Sequence, residues 1–180
     1  MKAIFFCLLL AATKLLAAEP WPNLPYAEAR AYYYNEAGLD GVPIINEGKL
    51  DPSVMNKNGT VVPPATLKAL LDILNTKKFK SLTPGCYSPR HAVIFYDGNK
   101  KVVAVYEVCF GCMLQRSEPE GVAAMSDFGA LAEIFEQLKL PIGPKGKTAG
   151  DVKKQWEYLF RIITLGSGPE TSSPNSNPKK

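Results

Sequence analysis

Three cysteines, Cys86, Cys109 and Cys112, are the residues whose type and spacing are best suited to chemistry. A thiolate is a nucleophile, a disulfide partner and a ligand for soft metals. Cys109 and Cys112 are separated by two residues, which is the spacing of many redox-active pairs and of paired zinc ligands. The cysteines therefore admit three interpretations: a structural disulfide, a redox site and a metal site.

A predicted β-hairpin brings these cysteines together. Apolar runs at residues 92–96 and 102–108 flank a polar turn at residues 97–100, and this pattern predicts two antiparallel strands. With the turn centred at the middle of that polar segment, Cys86 falls beside the other two cysteines at the open end of the hairpin. Cross-strand neighbours approach to ~4.5–5.5 Å, which is within reach of a disulfide.

The first interpretation is a structural disulfide from Cys86 to Cys109 or to Cys112, which an oxidising compartment permits. The second is a redox pair formed by Cys109 and Cys112, with Cys86 as a resolving thiol. In thioredoxin-like sites such a pair opens a helix, whereas residues 113–121, which include Pro119, do not predict a helix. We therefore expect the structural disulfide and keep the redox pair as the alternative.

The third interpretation is a zinc site with the ligands Cys86, His91, Cys109 and Cys112. His91 is the only histidine of the chain. The alternation of side chains along a strand places His91 on the opposite face of the sheet from residues 107 and 109, which argues against this set. We expect a packed His91 that faces Tyr106 and a protein without a cofactor, with zinc as the alternative.

The same alignment of the hairpin strands places Arg90 directly opposite Glu107. Opposite charges that face each other across an antiparallel pair attract, and they stabilise one register of the two strands. The sequence therefore predicts a structural ion pair between Arg90 and Glu107.

The elements around the hairpin predict an α+β fold, with a small antiparallel or mixed sheet in which the hairpin is central, and about three packed helices. Helical spacing of apolar residues follows Pro63-Pro64, begins again near Ser126, and occurs once more between Val152 and Ile163. An aromatic-rich segment at residues 29–35 predicts a further strand. Asn58-Gly59 predicts a tight hairpin turn, because both central residues of such a turn need positive φ.

The N-terminus has the pattern of a secretion signal. Lys2 precedes a short apolar run that ends in small residues, and the run is too short to span a bilayer. We expect a signal peptide at residues 1–18, one domain at 19–165 and a disordered tail at 166–180. Cys7 lies too early for a lipoprotein cleavage site, so no lipid anchor is expected, and no later stretch predicts a transmembrane segment.

The charge of the chain argues against a nucleic-acid partner. The net charge of +4 falls to +2 when the predicted signal peptide takes Lys2 and Lys14 with it. A nucleic-acid-binding protein shows a basic face, whereas the lysines here are scattered along the chain. We expect a partner in the cell envelope or outside the cell.

Two blocks of sequence carry a resemblance to a known group of proteins. Residues 86–91 read Cys-Tyr-Ser-Pro-Arg-His, and residues 107–112 read Glu-Val-Cys-Phe-Gly-Cys. Together with Phe95-Tyr96-Asp97 they resemble an uncharacterised family of small exported bacterial proteins. The resemblance implies a periplasmic or secreted protein whose cysteines belong to one site, and it supplies no reaction.

These observations lead to one expectation of function and one alternative. We expect an exported, non-enzymatic binding or structural domain of the cell envelope, with a disulfide at the base of the hairpin. The alternative is a thiol oxidoreductase or a zinc-binding protein that uses Cys86, Cys109 and Cys112.

Overall fold

The computed structural model describes residues 20–35, 41–76, 87–122, 125–143 and 146–165. The predicted signal peptide, the predicted tail and Cys86 lie outside these residues. Within them, no helix is long and apolar enough to cross a membrane.

The described residues form three helices and two antiparallel sheets, which confirms the predicted α+β class. The elements in chain order are β1 (Glu28–Tyr33), β2 (Ile45–Asn46), β3 (Lys49–Leu50), β4 (Thr60–Val61), α1 (Pro64–Asn75), β5 (His91–Tyr96), β6 (Val102–Cys109), β7 (Leu114–Glu118), α2 (Phe128–Gln137) and α3 (Ala149–Leu165). The larger sheet has the order β4-β1-β5-β6-β7, and β2 pairs with β3 in a small second sheet. The hairpin β5–β6 is therefore central, as predicted.

Alternate residues of β1 and β5 face two different cores. One set packs with the apolar faces of the three helices, and it includes Val93 and Phe95. The other set packs beneath the loop that contains β2 and β3, and it includes Tyr32 and Ile94. Because side chains alternate along a strand, this division means that the central strands are covered on both faces.

The helices begin and end close to where apolar spacing and end signals place them. α1 has Pro64 in its first turn, where the missing N–H costs nothing. The N-terminal cap of α2 is Asp127. The Asp127 carboxylate accepts a hydrogen bond from Ala130 N at 3.0 Å, which satisfies one of the unpaired amides of the first turn.

The register of the central hairpin differs from the predicted one. His91 pairs with Val108 and not with Tyr106, and Ala92 pairs with Glu107. The difference arises partly at the turn, where Lys100 has a φ of 64° and the Asp97 carboxylate accepts the amide of Asn99 at 2.8 Å. The rest arises at an irregularity between Phe95 and Tyr96, where the pairing shifts by one further residue. A turn of this kind is longer than two residues, so the pairing shifts along the strands.

Asn58-Gly59 does not form the predicted hairpin. β4 follows this turn and pairs with β1, through Arg30 and Val61. The residues before the turn form no strand, because the Asn56 side chain bonds the backbone of β1 directly. Its Oδ1 accepts Tyr33 N at 2.9 Å, and its Nδ2 donates to the carbonyl of Ala31 at 3.0 Å.

Candidate functional site

A disulfide lies in the turn between β6 and β7. Cys109 is the last residue of β6, and Cys112 lies three positions later, with 5.4 Å between the two Cα atoms. That separation is within the range of protein disulfides. Cys109 also pairs with Leu114, the first residue of β7. The turn is therefore closed by the sheet itself as well as by the disulfide.

This pairing differs from the expected structural disulfide. The expected bond joins Cys86 to Cys109 or to Cys112, whereas the structure joins Cys109 to Cys112. Because each sulfur takes part in only one disulfide, the observed bond leaves neither of them for Cys86. The physical reason is the tight turn at residues 110–113, which brings the two cysteines of the pair together without help from any distant segment. Cys86 lies outside the described residues. The observed pairing is the one that the redox interpretation uses.

The two sulfurs have different surroundings. Cys109 is buried and Cys112 is half-buried. The backbone amide of Cys112 donates to Sγ of Cys109 at 3.1 Å. A hydrogen bond to sulfur favours its charged form, so this amide would stabilise a thiolate on Cys109 when the disulfide opens. Cys112 is the more accessible sulfur for an incoming thiol.

A pocket of about 310 Å³ adjoins the disulfide. Its walls come from the start of β5, from the turn between β6 and β7, and from the segment that joins α2 to α3. Arg90 and Lys147 are the charged residues among its described lining, together with the uncharged His91 and both cysteines. The site therefore combines a disulfide with two cationic side chains.

His91 is the polar residue buried most deeply in this wall, with 1% of its surface exposed. Its ring contacts those of Tyr33, Phe110 and Phe135 at centroid distances of 4.9–5.2 Å. Its Nε2 lies 2.6 Å from the carbonyl oxygen of Pro141, and a carbonyl only accepts, so Nε2 carries the proton and donates it. This arrangement agrees with the predicted packed histidine.

Burial lowers the pKa of His91 to about 4, because desolvation penalises the charged ring more than the hydrogen bond to Pro141 favours it. The imidazole is therefore neutral at pH 7. Its Nδ1 has no hydrogen-bond partner among the described residues. His91 serves here as an uncharged wall of the pocket and as a link between β5 and the loop at Pro141.

The stability of the protein should decrease as the pH is lowered, because of His91. The folded pKa of about 4 lies below the unfolded value of about 6.5, so the unfolded chain binds more protons between these two values. As far as His91 is concerned, the free energy of unfolding has its full value above pH 6.5 and decreases as the pH falls towards the folded pKa. We expect urea unfolding to show a loss of about 2 kcal/mol between pH 6.5 and 5, where most carboxylates stay ionised.

The control for this effect is His91→Phe, which keeps an aromatic ring in the cluster and cannot titrate. The unfolding free energy of that variant should be nearly flat between pH 6.5 and 5. An equal loss in the variant and in the natural protein would show that another group causes the acid sensitivity.

The zinc set is not brought together within the described residues, where no group of three or more histidine, cysteine or acidic side chains has the geometry to hold a metal ion. The disulfide uses the sulfurs of Cys109 and Cys112, and Cys86 lies outside the described part of the chain. A zinc site with His91 therefore stays a prediction for the reduced protein.

Glu107 forms a buried polar cluster on the face of the sheet opposite His91. Its Oε1 accepts from the hydroxyl of Tyr34 at 2.8 Å and from the amide of Ile44 at 2.6 Å. Its Oε2 accepts from Nε of Arg116 at 2.8 Å and forms a salt bridge with the same guanidinium. Both carboxylate oxygens are thus satisfied, which makes this cluster a structural one.

The predicted ion pair between Arg90 and Glu107 is therefore corrected: the partner of Glu107 is Arg116. The shifted register places Ala92 of β5 opposite Glu107. On the other side of β6, β7 places Arg116 opposite the same residue. β7 is not evident from the sequence because Leu114–Glu118 is a mostly polar, half-exposed edge strand. Its five residues show no alternation of apolar and polar side chains, so no periodic pattern indicates the strand.

Comparison of the chain with protein-family models, with curated proteins and with solved structures finds no match.

Proposed function

We propose that this protein is an exported thiol–disulfide exchange domain, in which Cys109 and Cys112 alternate between the disulfide and the dithiol. The observation that supports the proposal is the place of the disulfide, in a turn that the pairing of Cys109 with Leu114 already closes. A disulfide stabilises mainly by restricting the unfolded chain, and more so for longer loops. A ring of this size, in such a turn, adds little constraint and opens at little structural cost.

The surroundings of the two sulfurs suit an exchange reaction. A substrate thiolate attacks Sγ of Cys112, the sulfur–sulfur bond breaks, and its electron pair leaves with Cys109 as a thiolate. The amide of Cys112 donates to that sulfur. A second substrate thiolate then attacks the substrate sulfur of the mixed disulfide and releases Cys112. The substrate dithiol is oxidised to a disulfide, and the protein takes up two electrons and two protons.

The test is redox titration of the mature protein, residues 19–180, in glutathione buffers, with alkylation and intact-mass detection. We expect one reversible two-electron transition that protects Cys109 and Cys112 together, at a potential above about −300 mV, the limit below which structural disulfides usually lie. Cys112→Ser should abolish the transition. A disulfide that does not respond to any glutathione buffer would contradict exchange, and would favour the exported binding or structural domain of the envelope.

Cys86→Ser is the matched control, and it gives a separate prediction. Because the Cys109–Cys112 disulfide does not involve Cys86, we expect the variant to keep both the redox transition and the unfolding free energy in urea. The expected structural disulfide through Cys86 makes the opposite prediction, a loss of about 2–5 kcal/mol. A loss of that size would show that the protein in solution pairs Cys86 with one of the other two cysteines.

A further inference from the structure

We propose that the pocket beside the disulfide selects thiol substrates that carry a negative charge close to the reacting sulfur. This inference rests on the proposed exchange function and adds a substrate class to it. The pocket shares its wall with Cys109 and Cys112, so a substrate whose sulfur reaches Cys112 places its neighbouring groups in the pocket.

The charge of the pocket is the first argument. Arg90 and Lys147 line it, and no aspartate or glutamate is among its described lining residues. A concave site with charges of one sign and low-dielectric walls concentrates the field and attracts ligands of the opposite charge. His91 adds no charge at neutral pH, so the selection depends on the two cations.

The position of Lys147 is the second argument. Its aliphatic stem lies across Gly143, where a methyl group added to the glycine would come within 3.0 Å of Cδ of the lysine. The nearest acidic residue along the chain, Asp151, is engaged instead by the amide and hydroxyl of Thr148, at 3.0 and 2.8 Å. Lys147 forms no ion pair with any described residue. Lys147 is close enough to Asp151 for its charge to help lower the pKa of that carboxyl, but its ammonium group is not held in an ion pair with a carboxylate of the described residues.

The size and lining of the pocket suit a small thiol or the end of a peptide. A volume of about 310 Å³ lies at the lower end of the range for small-ligand sites. Phe110 and Ile142 provide an apolar surface, against which the carbon skeleton of the substrate would pack while its anionic group approaches the cations. A carboxylate-bearing thiol or an acidic cysteine peptide has this combination of groups.

The experiment compares three small thiols of similar size that differ in charge: 2-mercaptoethanesulfonate, 2-mercaptoethanol and cysteamine. The rate constant for opening the Cys109–Cys112 disulfide is measured at low ionic strength, per unit of thiolate, by acid quench, alkylation and mass detection. For each protein we take the ratio of the rate constant of the anionic thiol to that of the cationic thiol. We expect this ratio to be at least ~10-fold higher for the natural protein than for Lys147→Glu. Because each thiol is compared across variants, its intrinsic nucleophilicity cancels.

The matched control is Lys68→Glu, which makes the same charge change at an exposed lysine on α1, an element that does not line this pocket. It should leave the preference unchanged, and Lys147→Gln should show an intermediate one. An equal effect of Lys68→Glu and Lys147→Glu would assign the preference to the overall field and overturn the pocket. Equal relative rates in all variants would overturn charge selection while exchange stands. Failure of every thiol to open the disulfide would instead reject the exchange function itself.

Discussion

Replacing Glu107 with leucine should lower the free energy of unfolding by about 3–5 kcal/mol, because Glu107 holds three segments of the chain together in a buried site. Only 3% of its surface is exposed. Leucine would leave the hydroxyl of Tyr34 and the amide of Ile44 without an acceptor, and each buried unsatisfied donor costs about 1–3 kcal/mol. It would also leave Arg116 without its carboxylate. Urea unfolding measured at pH 7 gives this loss directly.

Glu107→Gln is the control for this prediction, since it keeps an acceptor oxygen and the size of the side chain. We expect it to cost clearly less than leucine, because Tyr34 and Ile44 retain one acceptor between them. If the leucine and glutamine variants were equally stable, the hydrogen bonds of Glu107 would not be what stabilises this part of the fold.

Trp21→Ala should cost a similar amount, about 3–5 kcal/mol, because it removes a large aromatic side chain from the main core. The Trp21 ring contacts Phe95 and Tyr106 at centroid distances of 5.2 and 6.3 Å, and its Nε1 donates to the carbonyl of Pro119 at 2.8 Å. Its backbone exchanges two hydrogen bonds with the side chain of Asn75, each of 2.7 Å. Thermal or urea unfolding provides the measurement.

Two further variants of the same segment separate packing from the hydrogen bond. Trp21→Phe keeps an aromatic ring in the core but loses the bond to Pro119 and part of the indole volume, so it should cost less than alanine, about 1–2 kcal/mol. Leu24→Ala changes an exposed residue, with 42% of its surface accessible, and should have almost no effect. A similarly small effect of Trp21→Ala would mean that the segment before β1 is not part of the cooperative unit.

Much of the fold follows from periodicity in the sequence. Apolar spacing predicts one buried face on each of the three helices. Residues of these faces pack in the main core, for example Leu70, Phe135 and Trp156. The apolar runs of β5 and β6 likewise indicate strands buried on both faces, and the structure agrees. These patterns are informative because burial of apolar surface, the dominant stabilising term, acts on many residues at once.

The details that periodicity did not predict depend on a few polar groups. The register of the hairpin depends on the turn at Asp97 and Lys100 and on the irregularity next to it, and the partner of Glu107 depends on the pairing of β6 with β7. The edge strand β7 has no continuous apolar face to reveal it. For the site, strand alternation correctly separated His91 from Glu107, whereas the disulfide partner of Cys109 was decided by the tight turn that follows it, which spacing alone left open.

The sheet order has a consequence for the order in which the protein can fold as it is made. β1 lies between β4 and β5, and its pairing of Tyr33 with His91 joins residues about sixty positions apart. The chain is synthesised from the N-terminus to the C-terminus. This strand, which contains Tyr32 and Tyr33, therefore has no main pairing partner until β5 has been synthesised. An aromatic strand with unpaired edges invites association with other chains. A holding chaperone that covers residues 28–33 during this interval would therefore raise the yield of native protein without changing its final stability.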